Sequence, residues 1–364
     1  MQKIFLFCLL FIFFSCNKEE RVTKSPEVQT DSSEIITKKP EQDLISIIAV
    51  GDIMLGSNYP SSASLPPNDG ADILSGVSEV LQNADITIGN LEGTLLNSGG
   101  KAKDCGENCH AFRMPEHYAE YLRDAGFDYM NLANNHSGDF GTVGRESTKN
   151  TLERYDIKYG GLLDAETSLM EIGKKKIGFA GFAPNWGTCD LNNLSRAKEI
   201  VSELKKNCDI VIVCFHGGAE GTGAQRTKNQ TEYYLGEKRG NVVEFSRGVI
   251  DAGADLVLGS GPHVSRAIEL YEGKLIAYSL GNFCTYGKFG LSGVLGYAPI
   301  IKVYVDVKGN FVKGEIISAI QKGRGVPVLD DENKAAQIIA KLTEMDFTNS
   351  ELNIDSDGII TLNQ

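Results

Sequence analysis

The sequence predicts an α/β fold, and three observations carry the prediction. Apolar, β-branched runs alternate with helical stretches; the runs are near-continuous, as in strands covered on both faces; and each ends in a short loop of Gly, Asn, His, Asp or Glu. Leu44–Val50 leads to Gly51-Asp52, Ala84–Ile88 to Gly89-Asn90-Leu91-Glu92-Gly93, and Phe127–Leu132 to Asn134-Asn135-His136. Lys176–Phe182 leads to Ala183-Pro184-Asn185-Trp186, and Asp209–Phe215 to His216-Gly217-Gly218-Ala219-Glu220. Leu256–Leu258 leads to Gly259-Ser260-Gly261-Pro262-His263, and Lys274–Leu280 to Gly281-Asn282-Phe283. Ligands of such sheets collect at the carboxyl ends of strands, so these seven loops are expected to converge on one rim.

The remaining elements follow in chain order. Lys3, the apolar run Ile4–Phe14 and Ser15-Cys16 read as an export signal of the lipoprotein kind over residues 1–16, because the run is shorter than the ~20 residues a spanning helix needs. Cys16 would become the acylated N-terminus and anchor the chain to a membrane, facing the periplasm or the exterior, although Phe13 and Phe14 depart from the usual signal before such a cysteine. Residues 17–43 mix Lys, Glu, Ser, Thr and Pro and bury too little to repay the cost of ordering, which suits a tether. Residues 44–325 are expected to form the main domain, and 41% hydrophobic composition can build its core. Pro299–Val307 and Phe311–Ala319 read as a hairpin turning on Lys308-Gly309-Asn310. Residues 326–364 supply a C-terminal helix, Asp330–Met345, and a short extension.

Composition excludes some functions. A net charge of −12 with no basic stripe argues against nucleic acid. Glycines near Gly217 lack the Lys-Ser/Thr of a phosphate loop, and Ser265 and Ser279 lack a nucleophile elbow. Cys105 and Cys109 are read as a local disulfide or free thiols rather than half a zinc site, and Cys208 and Cys214 as core residues. Trp186 is expected to pack on the rim, with a substrate platform as the alternative, and Arg226, Lys228, Lys238 and Arg239 to form a solvated helix face.

The rim residues Asp52, Glu92, Asn135, His136, His216 and His263 combine two carboxylates, an amide and three imidazoles at strand ends. Such a set suits a divalent transition metal. A lone Asn-Asn-His after a buried strand is equally well a helix cap, and it is the recurrence that favours the metal. Of the five histidines, only His110 and His117 lie outside these loops.

These segments resemble the CapA family of poly-γ-glutamate capsule-synthesis proteins, which are similar in fold to calcineurin-like metallophosphoesterases. The resemblance rests on Val50-Gly51-Asp52-Ile53-Met54-Leu55, Gly89-Asn90-Leu91-Glu92, Asn134-Asn135-His136, His216-Gly217-Gly218-Ala219-Glu220, Gly261-Pro262-His263-Val264 and Tyr278–Phe283, with Ala111–Pro115 as a further segment. It implies a metallo-dependent phosphatase-like layered α/β sandwich whose ligand loops lie at the carboxyl ends of the strands. By the same resemblance, Asp52, Glu92, Asn135, His216 and His263 hold a divalent metal (Mn, Zn or Fe), Glu92 standing at the bridging position. His136 then donates a proton or stabilises the transition state, Glu220 orients water or an imidazole, and Arg113 and Asn282 bind substrate.

Met54 and Ser260 stand where the resemblance places further histidines, which leaves enough ligands for one metal and makes a second site doubtful. Two functions remain open: a metal-dependent hydrolase or transferase acting on an anionic polymer or its phosphorylated precursor, and a non-catalytic scaffold that binds the polymer. Membrane-bound capsule synthesis proteins are the expected partners of either.

Overall fold

The computed structural model describes residues 44–104 and 110–363. The signal 1–16 with Cys16, the tether 17–43 and the Cys105/Cys109 pair lie outside the described residues. No helix among the described residues is long and apolar enough to cross a membrane.

Two mixed β-sheets lie face to face. The larger has the order Leu352–Ile354, Ile359–Leu362, Phe311–Ile317, Ile300–Val305, Ile45–Met54, Ile86–Leu91, Tyr129–Asn131, Lys158–Gly160. Asn282–Thr285 pairs in parallel with the carboxyl end of Ile45–Met54. The smaller sheet has the order Ile268–Tyr271, Lys274–Ala277, Leu256–Ser260, Ile210–His216, Lys175–Phe182, Thr167–Ile172. All seven expected strands are present, and the expected hairpin pairs Ile300–Val305 with Phe311–Ile317.

Strand periodicity explains the layering. In Ile210–His216 the side chains of Ile210, Ile212 and Cys214 face the other sheet, while Val211, Val213 and Phe215 face away. Ile47 and Ala49 likewise face inward, and Ile48 and Val50 outward. Each strand therefore needs a cover on both sides, which is why its sequence reads as a continuous apolar run rather than an alternating one. Helices supply the outer cover. Leu194–Lys205, capped by Asn193 accepting from the Arg196 amide, buries Ala197, Ile200, Val201 and Leu204 at helical spacing against the smaller sheet. Val242–Asp251, capped by Asn241, lies beside it. Tyr118–Asp124 and Gly141–Arg154 cover the larger sheet through Tyr118, Leu122 and Leu152. The result is the layered α/β sandwich expected from sequence.

Residues 326–363 are built into the same body. Helix Lys334–Asp346 inserts Ala336 and Ile339 into the core between the sheets, and Ile359–Leu362 adds to Phe311–Ile317. Cys189, Cys208, Cys214 and Cys284 are buried free thiols, so Cys208 and Cys214 are the core residues expected of them.

The sheets are keyed together by Tyr129 of the larger and Phe179 of the smaller, both fully buried, with ring centroids 4.5 Å apart and planes 13° from parallel. Phe179→Ala should lower unfolding free energy by about 3–5 kcal/mol in urea titration, from lost burial plus a cavity between the sheets. A loss below ~1 kcal/mol would mean that the interface collapses around the missing ring.

Candidate metal centre

Parallel register sets the site. Asp52 stands beside Asn90, and Asn90 beside Asn131, on three adjacent strands. Their side chains form a chain of hydrogen bonds: Asn131 Nδ2 donates to Asn90 Oδ1 at 2.9 Å, and Asn90 Nδ2 donates to Asp52 Oδ1 at 2.8 Å. Asn134 Nδ2 also donates to Asn90 Oδ1, at 3.3 Å, and Asn134 Oδ1 accepts from the His136 amide at 3.0 Å. In the facing sheet, His216 is in register with Ser260, whose hydroxyl lies 3.1 Å from His216 Nδ1. Asn90 Nδ2 is 3.2 Å from that same nitrogen, so one amide joins the carboxylate of one sheet to the imidazole of the other.

Above this layer, one ligand atom each from Asp52, Glu92 and His263 lies within 4.8 Å of the other two. His263 Nδ1 is 2.9 Å from Asp52 Oδ2, and its Nε2 is 3.8 Å from Glu92 Oε1 and 3.6 Å from Glu220 Oε2. His263 holds this pose with φ +58°, an uncommon conformation outside glycine. His216 Nδ1 is 3.6 Å from Asp52 Oδ1. Both Glu92 oxygens, His216 Nε2 and Asn135 Oδ1 are buried without a hydrogen-bond partner in the described structure. Buried acceptors are rarely left orphaned, and this converging set of oxygens and nitrogens is the donor set a divalent cation takes.

The charge state is shaped by the same crowding. Burial and the neighbouring Asp52 push Glu92 well above the ordinary carboxylate range. Burial would raise Asp52 too, but hydrogen bonds from His216 and His263 hold it below its ordinary value. Burial alone would lower His263, yet the facing Glu92, Asp52 and Glu220 carry it up to about 10. Burial lowers His216, and pushes His136 down to about 4.

His136 belongs to a second cluster. Its Nδ1 is 2.8 Å from Asp139 Oδ2, its ring stacks on Phe112 at 4.2 Å, and its Nε2 is 3.7 Å from Glu92 Oε1. Asp139 is fixed in turn by the Phe112 amide at 2.6 Å and Lys103 Nζ at 2.6 Å. Nδ1 therefore carries its proton toward Asp139, and Nε2 is the nitrogen that looks into the site.

The expected residues separate into two groups. Asn135, His136, Glu220 and His263 line a cavity of about 570 Å³, with Asp52, Glu92 and His216 clustered beside them. Arg113 is placed elsewhere: its Nε donates to Asn58 Oδ1 at 2.6 Å and its Nη1 to the Gly99 carbonyl at 2.9 Å. Those contacts use the guanidinium to tie two loops, and it does not line the cavity. Asn282, buried next to Asp52, donates to the Leu295 carbonyl and is likewise absent from the cavity wall. Met54 is fully buried in the outer core of the larger sheet, away from the cluster.

Three surface expectations change. Arg239 is not on a solvated helix: it is 4% exposed in strand Glu237–Gly240 and pairs with Glu220 at 2.9 Å. Arg226 pairs with Asp346 of the C-terminal helix. Trp186 does not pack on the rim but is 84% exposed, with the Arg145 guanidinium 4.8 Å from its ring. Asn90, Asp139 and Lys103 were given no role from sequence. For Asn90 there was a signal, an amide inside the wholly buried strand Ile86–Leu91.

Replacing Asn90 by Ala should remove about 1–3 kcal/mol of stability by urea unfolding, because Asp52, Asn131 and Asn134 lose a buried partner together. An unchanged midpoint would show that the amide chain is not a supporting element.

Residues 46–286 match the model of the family described as bacterial capsule synthesis protein PGA_cap. The chain is 29% identical over 297 residues to the PGA biosynthesis protein CapA of Bacillus subtilis (strain 168), covering 76% of this chain and 70% of that one. It is 26% identical over 279 residues to the capsule biosynthesis protein CapA of Bacillus anthracis, covering 70% of this chain and 63%, less than two thirds, of that one. Among solved structures it is similar to the calcineurin-like phosphoesterase YfkN of Bacillus subtilis, with 14% identity, a TM-score of 0.42, and 85% and 98% of the two chains covered. With most of its length matched, the site loops included, the chain belongs to the bacterial capsule synthesis protein PGA_cap family.

Proposed function

We propose that the protein is a metal-dependent hydrolase or transferase acting on an anionic polymer or its phosphorylated precursor during extracellular polymer assembly. The observation that carries this reading is the convergence of Asp52, Glu92 and His263, with buried unpartnered acceptors on Glu92, His216 and Asn135 around them. A scaffold that only bound polymer would gain nothing from burying such acceptors, each costing roughly 1–3 kcal/mol when left unsatisfied.

Asp52, Glu92, His216, His263 and Asn135 would hold the ion. When bound, it would supply Lewis-acid polarisation of a phosphoryl or acyl oxygen. The chain's own groups do the rest. Asn90 holds Asp52 and His216 in place from below. Asp139 keeps the His136 proton on Nδ1, so Nε2 can take a proton from an incoming nucleophile and return it to a leaving group. Glu220, clamped by Arg239, faces the His263 Nε2 edge and fixes that ring. Phe112 stacks over His136 and restricts water on that side. The Lewis-acid role and the proton at His136 Nε2 together suit phosphoester cleavage or acyl transfer at a γ-glutamyl amide. Cys16 would be lipidated and hold this body at the cell envelope, near membrane-bound synthesis proteins.

Elemental analysis of purified protein reconstituted with manganese, zinc or iron should find stoichiometric metal, absent from Asp52→Ala and His263→Ala. Wild-type protein that takes up no metal under any of these conditions would make a polymer-binding scaffold the better reading. His136→Ala should retain metal yet lose about 100-fold or more in turnover of a phosphodiester or γ-glutamyl substrate, and undiminished turnover would remove His136 from the chemistry.

A further inference from the structure

The central cavity does not stand alone. Asn185 lines it and also a second cavity of about 500 Å³, whose wall includes Leu163 and Trp186. Glu220 and Tyr234 line it and also a third, of about 570 Å³, whose wall includes Tyr233 and Lys228. The two outer cavities have no wall residue in common, and each meets the central one at residues of its own, Asn185 for the second and Glu220 and Tyr234 for the third.

Two further features mark this row of cavities as a binding surface. Trp186 at 84%, Leu235 at 77%, and Leu163 and Tyr233 at 63% each are the four most exposed large apolar side chains among the described residues, and all four stand in these walls. Apolar side chains clustered this way around a cleft mark a contact surface. The charges are also uneven. Arg196, Arg226 and Arg239 are neutralised by Glu166, Asp346 and Glu220, whereas Lys288 in the central cavity and Lys228 in the third have no acidic partner among the described residues. On a chain of net charge −12, unpaired lysines favour an anion in the central and third cavities, whereas the second, whose wall carries Asp190, offers mainly the apolar face of Trp186 and Leu163.

We propose that the three cavities form one groove that binds a linear polyanion through its interior, with repeats contacting the protein on both sides of the bond presented to Asp52, Glu92 and His263. The centre would then meet internal bonds rather than chain ends. From the function proposed above, this takes only the sign of the substrate's charge.

Trp186 is the single tryptophan of the chain, so its fluorescence reports one outer cavity alone. Long-chain polyglutamate added to the full chain should change that fluorescence, at a concentration per repeat about tenfold or more below that needed with glutamate trimer, because one chain engages several subsites. Lys228→Ala, in the opposite outer cavity, should weaken the long-chain response about fivefold, while Lys174→Ala, on the turn after strand Thr167–Ile172, should not. The response should survive a metal chelator, so retained binding supports the groove even where hydrolysis fails. The proposal is overturned by the absence of a fluorescence change, by equal potency of trimer and polymer per repeat, by an unaltered response in Lys228→Ala, or by an equal response to neutral dextran.

Discussion

The structure depends on one amide. Asn90 sits where two sheets, three strands and the acid–histidine cluster meet; it donates to Asp52, lies 3.2 Å from His216 Nδ1, and accepts from Asn131 and Asn134. Its carbonyl and amino group are both spent, so its orientation is fixed by its neighbours and theirs by it. A carboxylate at this depth would place another negative charge beside Asp52, and an apolar residue would take one partner from each of four buried polar groups. The fold thus supplies a neutral polar bridge beneath a strongly charged layer, where neutrality keeps the carboxylates above it free for a cation.

The layer above shows what the fold does with that freedom. Three carboxylates surround His263, which therefore keeps its proton far above the usual imidazole range when no other cation neutralises them. Proton and metal would compete for the same acids, so metal uptake by this cluster would be coupled to proton release. His136 lies at the other extreme, buried and readily neutral, with Asp139 and Phe112 fixing its ring. Two imidazoles on neighbouring loops are thus set to opposite charge states by the number of acids each one faces.

Much of this was legible in the sequence, for reasons visible in the packing. Lys176–Phe182 was readable as a strand, observed at Lys175–Phe182, because its faces meet different apolar layers and so every residue from Ile177 onward is apolar or small. The clustered acids and imidazoles were readable because they end such runs, where a buried polar residue needs a purpose. The division into two sheets was not readable, since which strand pairs with which is decided by contacts far apart in sequence. Asn90 was passed over because its role comes from register with Asp52 and Asn131 rather than from a local motif. Arg113 and Arg239 each misled in one direction. A guanidinium in a family-like segment turned out to tie loops at Asn58 and Gly99, and one in a charged stretch turned out to be buried against Glu220.

The strand Ile45–Met54 lies near the start of the folded body but changes partners along its length. Its first half pairs antiparallel with Ile300–Val305, and its carboxyl end pairs parallel with Asn282–Thr285. The central strand of the larger sheet therefore waits for residues made late in synthesis, and the core between the sheets closes only when Ile339 and Ile360 arrive. Such long-range closure is slow and leaves the emerging chain without a finished core for most of its length. A polypeptide that cannot complete its fold until nearly all of it exists carries unpaired strand edges through most of its synthesis.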